Sequence, residues 1–304
     1  MRLLVTGASG LLGLNLSLGA SRDHEVFGSV NRNLLKNAPF KVIQSDLTQS
    51  GSIEALLEEC NPDWVINCAA LANLEVCEAQ PDLAEKLNIE LPEKLAMNVA
   101  KGGARLVHVS TDAVFDGRQG NYSETDQPNP LSKYAESKLE GERVVSSVNP
   151  EAIIARVNMF GWSLSGKRSL AEWFLNNISA NKNISGFTDV FFCPLLATEL
   201  SRILLEMLTH GLQGIYHVVS RDCASKYEFG VKLAGLFGYD TSLIQPISFA
   251  ESNLIAERSL NLTLRADKLT NDLGAPPPDL NSCLEQYHHQ FLDGYPQTIR
   301  GMQR

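Results

Sequence analysis

Short apolar runs alternate with longer segments of mixed character through the first half of the chain. Residues 3–6, 25–30, 41–43, 64–68 and 105–110 are brief and rich in Leu, Val, Ile and aromatic side chains, as strands buried on both faces are. Residues 11–18, 53–59, 81–101 and 134–148 carry apolar positions at helical spacing. Residues 152–156 supply a sixth strand. Strands alternating with helices predict an α/β fold with a doubly wound parallel sheet.

After residue 156 the rhythm loosens. Residues 170–178 and 195–208 read as helices, 187–192 as an extended aromatic stretch, 214–219 as a strand and 227–237 as a helix. Pro276-Pro277-Pro278 breaks the chain before a last helix at 281–292. The expected organisation is a sheet-bearing domain over 1–160, to which 195–220 returns. A smaller carboxyl-terminal lobe covers 161–194 and 221–296, and 297–304 is a polar, frayed tail.

Chemistry enters at the ends of the strands. Arg2-Leu3-Leu4-Val5-Thr6 passes directly into Gly7-Ala8-Ser9-Gly10-Leu11-Leu12-Gly13. Glycines at 7, 10 and 13 leave no Cβ where the backbone turns, approaches a pyrophosphate and packs helix on strand, the pattern of a Rossmann-type dinucleotide site. Val107-His108-Val109-Ser110-Thr111-Asp112 is an apolar strand ending in hydroxyls, and ligands lie beyond the carboxyl ends of such strands. Tyr134 and Lys138 stand four apart in a helical stretch, so a phenol and an ammonium project from one face. The ammonium is expected to lower the phenol's pKa and to make it a proton donor or acceptor near neutrality.

The second strand ends at Val30-Asn31-Arg32-Asn33. An acidic residue there suits the ribose diol of NAD, whereas Arg32 suits the 2′-phosphate of NADP, so NADP is expected over NAD. Composition narrows the partners. The net charge of −9 and pI near 5.2 argue against nucleic acid and anionic membrane surfaces. No run of about 18 apolar residues is present, and the start has no basic segment followed by an apolar core, so a cytoplasmic protein is expected. The cysteines at 60, 68, 77, 193, 223 and 283 have no zinc-like spacing and mostly read as small buried hydrophobes of a reducing compartment. His288-His289 is isolated from other ligand types, and no metal is expected.

The glycine loop, the strand-end hydroxyls and the Tyr134–Lys138 pair together resemble the extended short-chain dehydrogenase/reductases. The resemblance narrows over Ser110-Thr111-Asp112-Ala113-Val114-Phe115-Asp116-Gly117, over Tyr122 to Pro130, and over Tyr134 to Glu142. These segments, with Asn67-Cys68-Ala69-Ala70-Leu71, Glu78, Asn88 and Gly214-Ile215-Tyr216-His217-Val218, look like dTDP-4-dehydrorhamnose reductases. That family reduces the 4-keto group of a nucleotide-linked 6-deoxysugar with a nicotinamide cofactor.

The resemblance implies that Tyr134 is the general acid, that Lys138 assists it and holds the nicotinamide ribose, and that Thr111, with Ser110 beside it, hydrogen-bonds the substrate oxygen. Gly10, Leu11 and Leu12 would border the pyrophosphate, Asp46 and Leu47 the adenine, and Ala69, Ala70 and Leu71 the rest of the cofactor. Thr111, Asp112 and Ala113 would meet the substrate. Departures bear on the sugar: Ala113 stands where the family usually has Tyr, and Ala72 where it usually has Thr. Arg156 to Trp162 lacks the usual Trp-Val-Tyr. Lys133, Arg168 and Lys226 are candidates for a substrate diphosphate, and Trp173, Phe187, Phe191 and Phe192 for base stacking or core packing. Two alternatives stay open. One is a nucleotide-sugar epimerase or dehydratase with retained NAD. The other is a regulatory subunit resembling the partner of methionine adenosyltransferase. Family likeness also suggests a homodimer.

Overall fold

Leu3, Leu4 and Val5 are wholly buried in the first strand, β1 (Arg2–Thr6), because the sheet is covered on both faces. In the computed structural model, which describes residues 1–251 and 259–303, β1 is an interior strand of a seven-stranded sheet. It is followed by α1 (Leu11–Ala20), β2 (Glu25–Val30), β3 (Lys41–Gln44), α2 (Ser52–Cys60) and β4 (Trp64–Asn67). Then come α3 (Leu74–Ala79), α4 (Pro81–Glu85), α5 (Leu91–Gly102), β5 (Arg105–Thr111), α6 (Lys133–Val148) and β6 (Ile153–Val157). The sheet runs β3-β2-β1-β4-β5-β6 and closes with the strand Gly214–Val218, every pair parallel. This is the doubly wound fold expected, and strand order reverses between β1 and β4, where ligands bind in such sheets.

Alternate strand residues feed two cores. Leu3, Val5, Val107, Ile153 and Ala155 pack with α1 and the helix Ala197–Thr209. Leu4, Val65, Leu106 and Ile154 pack with α5 and α6 through Leu95 and Val145. A third, smaller cluster joins Val114, Phe115 and Tyr122 to Cys193, Val219 and Leu264, fastening the loop after β5 to the carboxyl-terminal lobe.

Three expectations are corrected. Residues 81–101 are not one helix: α4 and α5 are separated by a π-helical turn at Lys86–Glu90. Pro92 has no N–H to give the Asn88 carbonyl four residues before it, which favours such a break. The tail is not frayed. Tyr295–Gly301 is a helix, Ile299 and Met302 are buried, and the Lys36 amide donates to the Met302 carbonyl at 2.9 Å. Their apolar side chains outweigh the polar composition of the segment; Arg304 lies outside the described residues. Finally, Cys193 and Cys223 form a disulfide. Phe192 pairs with Ala224 between antiparallel strands, so the adjoining cysteines face each other, a proximity invisible in their spacing. Cys60, Cys77 and Cys283 are free and buried, and Cys68 is free and half-buried. Among the described residues no helix is long and apolar enough to cross a membrane.

Candidate active site

At the β1–α1 turn the backbone explains the glycines. Gly7 has φ +66°, and a Cβ there would stand 2.9 Å from the Cys68 carbonyl and the Ala69 amide. A Cβ at Gly13 would come 2.3 Å from the Gly7 oxygen. Only hydrogen at both positions lets helix, turn and the end of β4 meet. The Gly10 amide donates to the Gly7 carbonyl at 2.8 Å, and Gly10 caps α1 without a side-chain hydrogen bond. The amides of Leu11 and Leu12 therefore open the helix as donors to an anion. Ala69 and Ala70, half-buried and exposed, keep the neighbouring strand end small. This cradle fits a dinucleotide.

Flanking groups are held by local bonds. Arg32 is exposed just beyond β2. Asp46, past β3, accepts from the Thr48 amide at 3.1 Å and hydroxyl at 2.8 Å, which holds its carboxyl below the usual range. Leu47 buries its side chain in the core. Leu71 is clamped by Asn88, whose amide oxygen accepts from the Leu71 amide at 2.8 Å. The Asn88 nitrogen donates to the Leu71 carbonyl at 3.0 Å and to Ser137 Oγ of α6 at 2.9 Å. Asn88 is buried on the π turn, and this clamp is absent from the sequence reading of the site.

The candidate reacting groups gather where β5 ends against α6. Thr111 Oγ1 accepts from the Ala113 amide at 3.2 Å, donates to Asp112 Oδ1 at 3.1 Å, and stands near enough to the Tyr134 phenol to act on its ionisation. Ser132 caps α6 by accepting from the Ala135 amide, which fixes the turn that presents Tyr134. Lys138 is buried one turn on and donates from Nζ to the Val109 carbonyl at 2.7 Å. The expectation that Lys138 lowers the phenol is corrected. Burial pushes Tyr134 up to about 12, with Asp112 and Cys77 acting the same way and the Thr111 hydrogen bond opposing them. The ammonium is instead spent on the β5 carbonyl. Lys138 itself falls to about 8 through burial, opposed by Glu142 and Cys68.

Asp112 is buried, and its Oδ2 accepts from Asn158 Nδ2 at 2.5 Å. Burial raises its carboxyl to about 6 against the pull of Asn158, Thr111 and Lys226. Ala113 is half-buried beside it. Ser110 turns away to Glu142 at 2.5 Å. Of the candidate diphosphate ligands, Lys226 stands close enough to act on Asp112. Lys133 Nζ is engaged with Glu136 at 2.7 Å on the surface of α6. Arg168 is exposed, on a loop whose backbone is tied to buried Glu172. Phe192 is buried in the core, whereas Phe191 and Trp173 are exposed.

The family model described as "RmlD substrate binding domain" matches residues 1–292. The chain belongs to this family. It is 33% identical over 300 residues to the probable low-salt glycan biosynthesis reductase Agl14 of Haloferax volcanii, covering 96% of this chain and 99% of that one. It is 31% identical over 266 residues to the methionine adenosyltransferase 2 subunit beta of Xenopus tropicalis, covering 81% and 75%. A dTDP-4-dehydrorhamnose reductase structure from Clostridium acetobutylicum superposes with TM-score 0.81 at 28% identity, covering 96% of this chain and 100% of that one. One from Bacillus anthracis in complex with NADP superposes with TM-score 0.82 at 24% identity, over 95% and 99%, and supports the fold.

Proposed function

We propose that this RmlD-family chain is an NAD(P)H-dependent reductase of a 4-keto nucleotide-linked deoxysugar. The observation that carries the reading is the meeting of Thr111, Tyr134 and Lys138 beyond β5, beside a glycine cradle shaped for a dinucleotide. The bound reduced nicotinamide supplies the hydride. Gly7, Gly10 and Gly13 admit its pyrophosphate to the amides of α1, with Leu11 and Leu12 alongside. Asp46, Leu47, Ala69, Ala70 and Leu71 form the walls, and Arg32 favours NADP by offering a cation to a 2′-phosphate.

The protein's own part is proton delivery. A phenol raised to about 12 is protonated at neutral pH, the form a general acid needs. Tyr134 gives that proton to the carbonyl oxygen as it becomes an alkoxide, which is the stronger base. Thr111 turns its single hydroxyl hydrogen from Asp112 to the same oxygen. Asp112 and Ala113 border the sugar. Lys138 contributes a buried positive charge beside the transfer. A cytoplasmic, homodimeric enzyme is part of the same proposal.

The test is fluorescence titration of the purified protein with NADPH and NADH. A dTDP-4-keto-6-deoxyhexose is then added while the absorbance of the reduced cofactor is followed. Sugar-dependent oxidation is expected, with NADPH bound more tightly. Likeness to the methionine adenosyltransferase subunit favours one other reading, a regulatory subunit that keeps the nucleotide site. Cofactor binding without oxidation of any keto sugar, together with a stable partner protein, would establish it instead.

A further inference from the structure

Tyr134, Lys138 and Glu142 recur every fourth residue along α6 and so share one face. Glu142 is 2% exposed and accepts four hydrogen bonds. One comes from Ser110 Oγ at 2.5 Å. Three come from Arg156: Nε at 3.0 and 3.1 Å and Nη2 at 2.7 Å. Arg156 is also 2% exposed, lies 5.1 Å from the centre of the Phe115 ring, and leaves Nη1 without a partner among the described residues. A buried ion pair is a poor stability device, because apolar side chains of similar volume often do as well. Its place one turn from Lys138 on α6, bonded to the residue before Thr111, calls for another account.

The titratable groups that act on Lys138 give it. Glu142 does so from its own helix, Cys68 from the end of β4, and His108 is coupled to it from β5. Burial drives Cys68 up to about 12 and His108 well below the usual imidazole value, so both are neutral near pH 7. That leaves Glu142 among these three as the ionic neighbour of Lys138, paired with Arg156 of β6 at 2.7 Å. Ser110, bonded to the same carboxylate, precedes Thr111 in β5.

We propose that Glu142, clamped by Arg156, is a positioning residue for the reduction. Its carboxylate sustains the charge of Lys138 and, through Ser110, sets the strand end that carries Thr111. This rests on the reductase reading, but its test does not need turnover. Lysine side chains labelled with 13C at Cε are titrated by NMR in the wild-type protein and in Glu142→Gln, with Lys138→Met assigning the signal. The titration midpoint of Lys138 should fall by about one unit or more without the carboxylate. The alkaline limb of the kcat profile should move with it. Because Glu142→Gln leaves Arg156 buried and unpaired, the double variant Glu142→Gln/Arg156→Met is measured beside it, and its midpoint should also fall.

Folded variants whose Lys138 midpoint stays within a few tenths of a unit of wild type would overturn the proposal. So would loss of folding in both variants, which would assign the pair to the fold alone. Failure of wild-type protein to reduce any keto sugar would overturn the reductase reading and leave the Lys138 titration standing.

Discussion

Gly141 offers a test in which the structure opposes a general rule. Alanine in place of glycine inside a helix ordinarily stabilises by about 0.5–1 kcal/mol. Gly141 lies inside α6, yet a Cβ there would stand 2.2 Å from the Asn88 carbonyl oxygen and 3.4 Å from its carbon. Ordinary contacts begin near 3.5 Å, so helix or π turn must retreat by roughly 1 Å. Overpacking of this kind costs about 1–3 kcal/mol, and each Asn88 hydrogen bond lost adds about 1 kcal/mol. Net of the propensity gain, Gly141→Ala should destabilise by about 1–3 kcal/mol. It should also weaken NADPH binding, because Asn88 holds Leu71, a wall of the proposed cofactor site. Gly235, exposed in the helix Lys226–Leu236 with nothing within 4 Å of its added Cβ, is the control and should show the ordinary gain. Urea unfolding of both variants, with NADPH titration, measures the contrast. A stabilised Gly141→Ala with unchanged cofactor affinity would refute the account of the α6–Asn88 contact.

Three further outcomes are expected. Tyr134→Phe should lose about 10²–10⁴ in kcat while keeping fold and cofactor affinity, and intact turnover would remove Tyr134 from the acid role. Arg32→Ala should reduce the preference for NADPH over NADH by roughly tenfold or more in fluorescence titrations, and an unchanged ratio would place the 2′-phosphate elsewhere. His217 is held down to about 3 by burial and then by Arg156. The unfolded chain therefore binds more protons between pH 3 and about 6.5, and this stability is lost as pH falls through that window. From pH 6.5 to 5 the loss is about 2 kcal/mol, which Asp112, raised to about 6, partly offsets as it protonates. On going from pH 7 to 5, the stability of His217→Gln measured by urea unfolding should therefore rise relative to that of wild type by about 2 kcal/mol; identical changes in both proteins would show that His217 does not carry the slope.

Much of this was legible because it depends on local pattern. Apolar runs marked every strand of the main sheet, and the Gly7–Gly13 loop announced a turn that no side chain could occupy. The Tyr134–Lys138 spacing put both groups on one face of α6. Apart from a local break at Pro92, what failed did so where two distant segments decide the outcome. Pro92 interrupts a stretch that reads as one helix. Cys193 and Cys223 meet through strand pairing, and Ile299 with Met302 draws a polar tail onto the core. The sign of the Tyr134 shift was misjudged for the same reason. Spacing supplies a neighbouring ammonium, but burial and the Val109 carbonyl decide what that ammonium does.

The buried polar layer shows what kind of signal was present but unreadable without register. Five neighbouring strands of the seven hold buried polar residues within or at the end of an otherwise apolar run: Thr6, Asn67, His108 with Ser110, Arg156 and His217. In sequence they look like isolated blemishes. Pairing aligns Thr6 with Asn67 and Asn67 with His108 in one row, and Ser110 with Arg156 and Arg156 with His217 in the next. The first row is stitched by Thr6 donating to Asn67 at 2.6 Å and by Asn67 meeting His108 at 3.0 Å, beside the glycine turn. The second row carries Glu142 and so reaches Lys138. A parallel sheet normally fills such positions with Val or Ile, and a buried polar group costs free energy unless it is bonded. Two aligned polar rows ending at the glycine turn and at α6 are therefore better explained by what they hold in place than by the stability of the sheet.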